Sequence, residues 1–402
     1  MPVKIPVKRR SALRLIIQPV SQDESIYEQL CDAISKKTFI PVIGDTIRIA
    51  HIFNVDMDKD VDVDNEFDNQ GGDETNAVEE NELPLKLNVI EELAYYWAES
   101  IHYPLSDRYR IARVAQFQAL TKENPTQAKK DYLRFLKDTL LTVAEKVAQI
   151  EDDPEGVALV SHLRREHNRS FAQIVRELDF PRFPAGKEDP LRLLARLPLK
   201  IYVTTSYHNF IEQALIAQDK QPRSRLCFWN MQPKSVKPEH RPVEGYEPDN
   251  DNPVVYHLLG MEQYPPSLVL TEDDYLDFLW KMAEDLPGSS HSAERIIPPY
   301  LEAELHSSSL LLLGYRLQDW DFRVLFRGLL NALPDVRKTR PKSVAVQIDL
   351  KEQPLVEDHE KAKLYLRSYF KEASFDVEFG DSDDFVLQLW REWQGLNQGG
   401  AA

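Results

Sequence analysis

Cysteine is scarce in this chain of 402 residues, which contains only Cys31 and Cys227, far apart in sequence. Two such residues exclude a disulfide framework and a four-cysteine zinc module, so we expect no zinc and a reducing, cytoplasmic setting. Long apolar runs are also lacking: the longest candidate, Leu310 to Leu313, has the length of a buried strand, far below the roughly 20 residues that cross a bilayer. The sequence therefore predicts no membrane span, and residues 1–14 are basic but have no apolar core of the kind a secretion signal needs.

The short motifs of several enzyme classes are missing as well. No Gly-x-Ser-x-Gly, no Walker loop and no His-Glu-x-x-His occurs. The formal net charge of −17 argues against a nucleic-acid-binding surface over the whole molecule. Five basic side chains lie within residues 1–23, which we predict to be a solvated tail. The alternative for this tail is a weak contact with a partner or a nucleic acid. We therefore expect nucleic acid to be a partner only indirectly, if at all.

The negative charge is concentrated in residues 56–82, which hold twelve acidic residues and one lysine and so supply −11 of the −17. Alternating aspartates in this segment suggest a calcium loop. A loop that starts at Asp60 has Asn65 where glycine is needed and Gly71 where a bidentate glutamate is needed. The composition instead predicts a solvated, disordered acidic insertion.

Short apolar runs alternate with helical periodicity along most of the chain. Strands are predicted at 38–43, 200–204, 225–229, 254–259, 267–270, 308–313, 343–348 and 375–379, with helices between them, including one over 321–332. This alternation predicts an α/β fold with a Rossmann-like parallel sheet. An all-helical lobe, about residues 87–180, is inserted after the first strand. We expect one domain over 24–395, followed by a flexible tail at 396–402.

Polar and glycine residues follow four of these strands. They are Gly44-Asp45-Thr46, Thr204-Thr205-Ser206-Tyr207, His257-Leu258-Leu259-Gly260, and Gly314-Tyr315-Arg316-Leu317-Gln318-Asp319. Each alone is weak evidence, because a glycine after a strand is usually a turn and a threonine before a helix is usually a cap. Because ligands of open parallel sheets bind at the carboxyl ends of the strands, we expect the four stretches to line one nucleotide-sized hollow.

Three longer stretches resemble the sirtuin-like family, and in particular the prokaryotic branch that hydrolyses NAD in antiphage defence. They are Thr204-Thr-Ser-Tyr-His-Asn-Phe-Ile-Glu212, Ser267-Leu-Val-Leu-Thr-Glu-Asp-Asp-Tyr275, and Leu310-Leu-Leu-Leu-Gly-Tyr-Arg-Leu-Gln-Asp319. The family has Thr-Thr-Asn-Tyr-Asp in the first, and a Gly-Tyr-Ser-Leu-x-Asp ending in the last. The resemblance covers about residues 24–50 and 84–395, and it implies NAD as the substrate or ligand.

Two departures from the family fall on the residues that carry its chemistry. Ser206 stands at the position of the asparagine thought to position water or ribose, and Leu259 at the position of the histidine thought to act as base. The phosphate loop departs too, because Gly44 is its one glycine where the family has several. Asp45 adds negative charge beside an anionic ligand unless Arg48 or a helix N-terminus offsets it.

Other side chains are candidates to replace the missing groups. His257 lies two positions before Leu259 on the predicted strand and therefore shares its face, so it is either a substitute base or a hydrogen-bonded core histidine. Ser206 either bonds the ligand or caps the next helix. His208 either faces solvent or caps. Arg316 binds phosphate or pairs with a nearby aspartate.

Two functions follow from these observations. The resemblance implies an NAD-hydrolysing effector or subunit of a defence system, kept off until assembly as a homo-oligomer or a partner protein activates it. The substitutions at Ser206 and Leu259 imply the alternative, a catalytically inactive relative that serves as a scaffold or partner-binding subunit. In both, the candidate catalytic residues are Ser206 and His257. The candidate nucleotide-binding residues are Gly44, Asp45, Thr46, Thr204, Thr205, Gly314, Tyr315 and Arg316.

Overall fold

The computed structural model describes residues 26–53, 87–166, 168–183, 186–241, 246–284, 295–315, 341–347, 358–371 and 374–399. The predicted basic tail, the acidic insertion at 56–82 and the predicted helix at 321–332 lie outside these ranges. Every structural statement that follows concerns the described residues.

Seven strands of the described chain form one sheet in which all neighbouring pairs are parallel. This arrangement confirms the predicted α/β fold with a Rossmann-like parallel sheet. The strands are β1 (Phe39–Ile43), β2 (Ile201–Thr204), β3 (Arg223–Leu226), β4 (Val254–His257), β5 (Ser309–Leu313), β6 (Ser343–Gln347) and β7 (Phe375–Phe379), in the order β3-β4-β2-β1-β5-β6-β7.

The strand order reverses beside β1, at the centre of the sheet. From β1 the chain builds the side that contains β2, β4 and β3, and it then returns to add β5, β6 and β7 on the other side. Ile43 of β1 is in register with Leu313 of β5 and with Thr204 of β2. The residues that follow these three strands therefore emerge together at the switch point, where open parallel sheets bind ligands.

Helices cover both the connections and a long insertion. In the described ranges they are α1 (Ile26–Ser35), α2 (Thr46–Phe53), α3 (Val89–Ser100), α4 (Ile111–Thr121), α5 (Pro125–Ile150), α6 (Pro154–Arg165), α7 (Phe171–Glu177), α8 (Pro190–Arg196), α9 (Phe210–Ile216), α10 (Glu272–Glu284), α11 (Pro299–Ser307), α12 (His359–Lys371) and α13 (Ser382–Gly399). Helices α3 to α7 lie within the stretch predicted as a helical lobe, whose boundaries stay a prediction. None of the helices in the described ranges is long and apolar enough to span a membrane.

One local strand prediction is wrong for an identifiable reason. The stretch 267–270 was expected to be a strand, but it follows a short 3₁₀ turn, Pro265–Ser267, and pairs with no strand of the sheet. Its apolar residues Leu268, Val269 and Leu270 are buried in the core instead.

The Thr-Glu-Asp-Asp-Tyr motif begins α10 and joins the sheet to the long helical insertion. Thr271 and Asp274 exchange backbone and side-chain hydrogen bonds in a capping arrangement, at 2.9 and 3.1 Å. The three acidic residues also contact helices α4 and α5: Glu272 meets Arg113 at 3.0 Å, Asp273 meets Gln116 at 2.7 Å, and Asp274 meets the buried Lys129 at 2.7 Å. We refer to these three contacts as the acidic clamp.

Candidate functional site

The loops after β1 and β5 touch through two glycines. Gly44 N–H donates to the Leu313 carbonyl at 2.8 Å, and a Cβ built on Gly44 would lie 2.5 Å from the Gly314 oxygen. Gly314 has φ +73°, and a Cβ there would lie 2.9 Å from the backbone nitrogen of Ile47, in the first turn of α2. Only glycine permits this approach at either position. The predicted phosphate loop is thus closed by backbone contact in this structure.

The two threonines after β2 connect the ends of three strands. The Thr204 hydroxyl donates to the Ile43 carbonyl at 3.0 Å and accepts from the Ser206 N–H at 3.0 Å. The hydroxyls of Thr205 and Tyr315 are hydrogen-bonded to each other at 3.0 Å. The structure therefore brings Gly44, Thr204, Thr205, Ser206, Gly314 and Tyr315 to one edge of the sheet. Thr46 begins α2 behind this edge, and Arg316 lies outside the described residues.

Ser206 and Asp45 are bonded to each other across the gap between β1 and β2. The Ser206 hydroxyl donates to Asp45 Oδ1 at 2.5 Å and accepts from the His208 N–H at 3.2 Å. Burial raises the pKa of Asp45, and the hydrogen bond from Ser206 opposes that rise only in part. A carboxylate that is removed from water in this way is strongly stabilised by the hydrogen bond that it accepts from the Ser206 hydroxyl.

A small cavity lies between these groups. It has a volume of about 10 Å³, enough for about one water molecule. Gly44, Asp45 and Arg48 line it on the β1 side, and Thr204, Ser206 and His208 line it on the β2 side. A dinucleotide needs more space than this cavity offers among the described residues.

Arg48 closes the cavity on the side of α8. Its guanidinium donates to Asp189 Oδ2 at 2.7 Å and lies over the rings of Phe210 and Phe183 at 5.8 and 6.0 Å. Asp189 also caps α8 by accepting from the Leu191 N–H. Arg48 is thus committed to a neighbouring carboxylate and is not held against Asp45, while its Nε atom is buried without a hydrogen-bond partner among the described residues.

His208 faces the interior, so its interpretation as a solvent-facing or capping residue is wrong. The side chain is 1% exposed, and its ring packs on Phe171 and Phe210 at centroid distances of 4.6 and 5.3 Å. Nδ1 lies 3.0 Å from Glu262 Oε2, and Nε2 has no partner in the described chain. One sequence signal pointed here: His208 replaces the aspartate of the family's Thr-Thr-Asn-Tyr-Asp motif.

His257 contacts the site through the backbone carbonyl of Ser206. Nε2 lies 2.7 Å from Glu212 Oε1, and Nδ1 lies 3.1 Å from the Ser206 carbonyl oxygen, with the ring fully buried. The Ser206 carbonyl can only accept a hydrogen bond, so His257 Nδ1 carries a proton and donates to it. The second ring proton, on Nε2, is donated to the Glu212 carboxylate. Burial acts to lower the pKa of His257, but the charge and hydrogen bond of Glu212 outweigh it and raise that pKa.

The position of the family's histidine is apolar and inaccessible. Strand β4 ends at His257, so strand alternation does not relate His257 to Leu259. Leu259 is 1% exposed, and its carbonyl accepts from the Val269 N–H at 2.9 Å. The chain turns at Gly260, with φ +106°, and a Cβ there would overlap the Ser267 carbonyl. No cluster of three or more potential metal ligands occurs among the residues that the structure describes.

Comparison with known proteins agrees with this architecture. Residues 200–373 match the family model of the SIR2-like domain. The sirtuin-like resemblance of the sequence is thereby confirmed. A stretch of 131 residues is 28% identical to the NAD(+) hydrolase ThsA of Bacillus cereus (strain MSX-D12). That stretch is 32% of this chain and 22% of the relative, so the chain matches about a fifth of that protein's length.

Proposed function

We propose that this chain binds NAD or a related nucleotide at the edge formed by β1, β2 and β5, and that it acts as an NAD hydrolase effector or subunit in antiphage defence. The observation that carries the proposal is the meeting of Gly44, Thr205 and Gly314 at the switch point of a parallel sheet. The SIR2-like match and the hydrolase relative support the same ligand.

The closed cavity supports a protein that is held inactive. Separation of the loops breaks the hydrogen bond between Ser206 and Asp45 and the ion pair between Arg48 and Asp189. Once free, the Arg48 guanidinium is the cation nearest to an incoming diphosphate, and Asp45 is the group that repels it. In this proposal NAD itself supplies part of the free energy of opening, and assembly with further copies or with a partner protein supplies the rest, so the purified chain binds and hydrolyses NAD weakly.

The alternative is a catalytically inactive scaffold, and it also rests on specific observations. Leu259 occupies the family's histidine position inside the apolar core, and the Ser206 hydroxyl is committed to Asp45. Such a chain binds a nucleotide, or a partner alone, without turning NAD over.

Binding and turnover of NAD by the purified full chain separate these functions. We expect NAD to raise the melting temperature of the wild-type protein and nicotinamide to appear on incubation. Ser206→Ala should weaken both effects, and Ser161→Ala, on the exposed surface of α6, should weaken neither. A thermal shift without nicotinamide supports the scaffold. No thermal shift at millimolar NAD contradicts nucleotide binding.

The defence role is tested in cells. Bacteria that express the chain should lose NAD and form fewer plaques after phage challenge, and Ser206→Ala should abolish both effects. Equal plaque numbers with and without the wild-type chain contradict this role.

A further inference from the structure

His208, a residue that lines the cavity, forms a carboxylate–imidazole pair with Glu262. Glu262 accepts from His208 Nδ1 at 3.0 Å, and its two oxygens accept from the Phe171 N–H at 3.0 and 3.2 Å. Burial acts to raise the pKa of Glu262, but the hydrogen bonds that it accepts from His208 and from the Phe171 N–H, together with the charge of Lys137, outweigh it and lower that pKa. Glu262 is therefore an ionised acceptor anchored to the N-terminus of α7.

An ionised acceptor fixes the imidazole in one tautomer. Nδ1 keeps its proton to donate to Glu262, so the lone pair of the neutral ring resides on Nε2. Phe171 and Phe210 hold the ring plane, with centroids at 4.6 and 5.3 Å, and limit its rotation. The side chain thus presents a basic nitrogen in a defined direction.

That nitrogen belongs to a residue that lines the cavity. Nε2 of His208 is buried and has no partner in the described chain, and the same cavity is lined by Ser206, Asp45 and Arg48. The space is the size of one water molecule. A water there has a donor in the unpartnered Arg48 Nε–H and an acceptor in His208 Nε2.

The second histidine–glutamate pair of the site has no such atom. Both ring nitrogens of His257 are engaged, one by Glu212 and the other by the Ser206 carbonyl. His257 therefore positions the backbone of Ser206, and of the two histidines only His208 has a ring nitrogen without a partner in the described chain.

We infer that His208, oriented by Glu262, is the general base of this site and takes the place of the histidine that Leu259 replaces. The inference rests on the proposed NAD hydrolysis. His208 Nε2 removes a proton from water, and the water oxygen forms a bond to C1′ of the nicotinamide ribose. The bond from C1′ to the nicotinamide nitrogen breaks, its electron pair neutralises the pyridinium, and nicotinamide leaves. The products are nicotinamide, ADP-ribose and the proton held on His208.

The test uses His208→Asn in the full chain, because the asparagine amide still donates to Glu262 at the place of Nδ1 and lacks Nε2. NAD affinity is measured by calorimetry and nicotinamide release by chromatography. We expect release to fall about 10²- to 10⁴-fold with the dissociation constant changed less than about twofold. His162→Asn, an exposed histidine of α6, is the matched control and should equal wild type.

Each result decides the inference. Release by His208→Asn at the wild-type rate overturns the role of His208 and leaves NAD hydrolysis standing. A wild-type chain that binds NAD without releasing nicotinamide also overturns it and leaves NAD binding standing, whereas a chain that binds no NAD refutes both proposals. If His208→Asn does not fold, Glu262→Gln replaces it: loss of release with retained affinity supports the inference, and unchanged release overturns it.

Discussion

The buried pair of His257 and Glu212 allows a sharp prediction about stability. Replacing His257 by leucine leaves the Glu212 carboxylate in the core without a cationic partner, although the Ser224 hydroxyl still donates to it at 2.7 Å. Breaking a buried ion pair in this way costs about 3–5 kcal/mol of unfolding free energy. A loss of about 4 kcal/mol corresponds to roughly a thousandfold change in the unfolding equilibrium constant.

Glu212→Gln is the matched variant, because it removes the charge and keeps the shape. The glutamine amide donates to Nε2 of a neutral His257, while Nδ1–H still donates to the Ser206 carbonyl. We expect a loss of only about 1 kcal/mol, since the contact with His257 remains as a neutral hydrogen bond and Glu212 Oε2 has no partner among the described residues to lose.

The pH dependence distinguishes an ion pair from a neutral hydrogen bond. The pKa of His257 is raised above 6.5, so its contribution is complete below pH 6.5 and is lost as pH rises through the folded value. Burial acts to raise the pKa of Glu212, but the charge and hydrogen bond of His257 lower it below 4.5, so its contribution is complete above pH 4.5 and is lost in more acidic solution. The advantage of wild type over Glu212→Gln should therefore be greatest between pH 4.5 and 6.5.

Urea unfolding followed by circular dichroism measures all three proteins across this range. The reasoning is refuted if His257→Leu has the midpoint of wild type, or if the difference between wild type and Glu212→Gln is independent of pH.

Three further predictions concern the loops, the acidic clamp and the acidic insertion. Gly314→Ala should lower the unfolding free energy by at least about 1–2 kcal/mol, since it adds a Cβ in a left-handed conformation 2.9 Å from the Ile47 nitrogen; an unchanged urea midpoint contradicts this. Lys129→Met should cost about 3 kcal/mol, because it leaves Asp274 buried beside an apolar side chain, and wild-type stability on thermal unfolding would show that the pair is dispensable. Deleting residues 56–82 removes −11 of charge and should raise nucleotide affinity at low salt more than at high salt; calorimetry that finds no salt-dependent gain excludes an electrostatic shield.

The sheet was predictable because its strands are apolar on both faces. Stretches such as Phe39–Ile43 and Ser309–Leu313 are buried at every position, and a continuous apolar run between helical segments has few other places in a fold. Most of the nucleotide-binding candidates came together for the same reason, since the carboxyl ends of parallel strands share one edge.

The environment of the side chains beyond the strand ends was not predictable. Whether His208 faces solvent or the interior depends on its contacts with Glu262 and Phe171. Glu262 lies 54 positions after His208 and Phe171 lies 37 positions before it, so only the folded chain brings them together. Whether His257 and Leu259 share a strand face depended on where β4 ends, because a strand longer by two residues would place both side chains on the same face. Sequence alternation gives the face of a strand but not its last residue.

The acidic clamp gives the Thr-Glu-Asp-Asp-Tyr motif a structural role. Glu272, Asp273 and Asp274 each grip a different side chain of α4 or α5, and none of them lines the cavity. The motif therefore connects α10 to helices α4 and α5 and is not part of the candidate site. A newly sequenced chain that has this motif and also lacks a histidine at the position of Leu259 is expected to keep the contacts from α10 to α4 and α5 and to owe any reactivity to other residues.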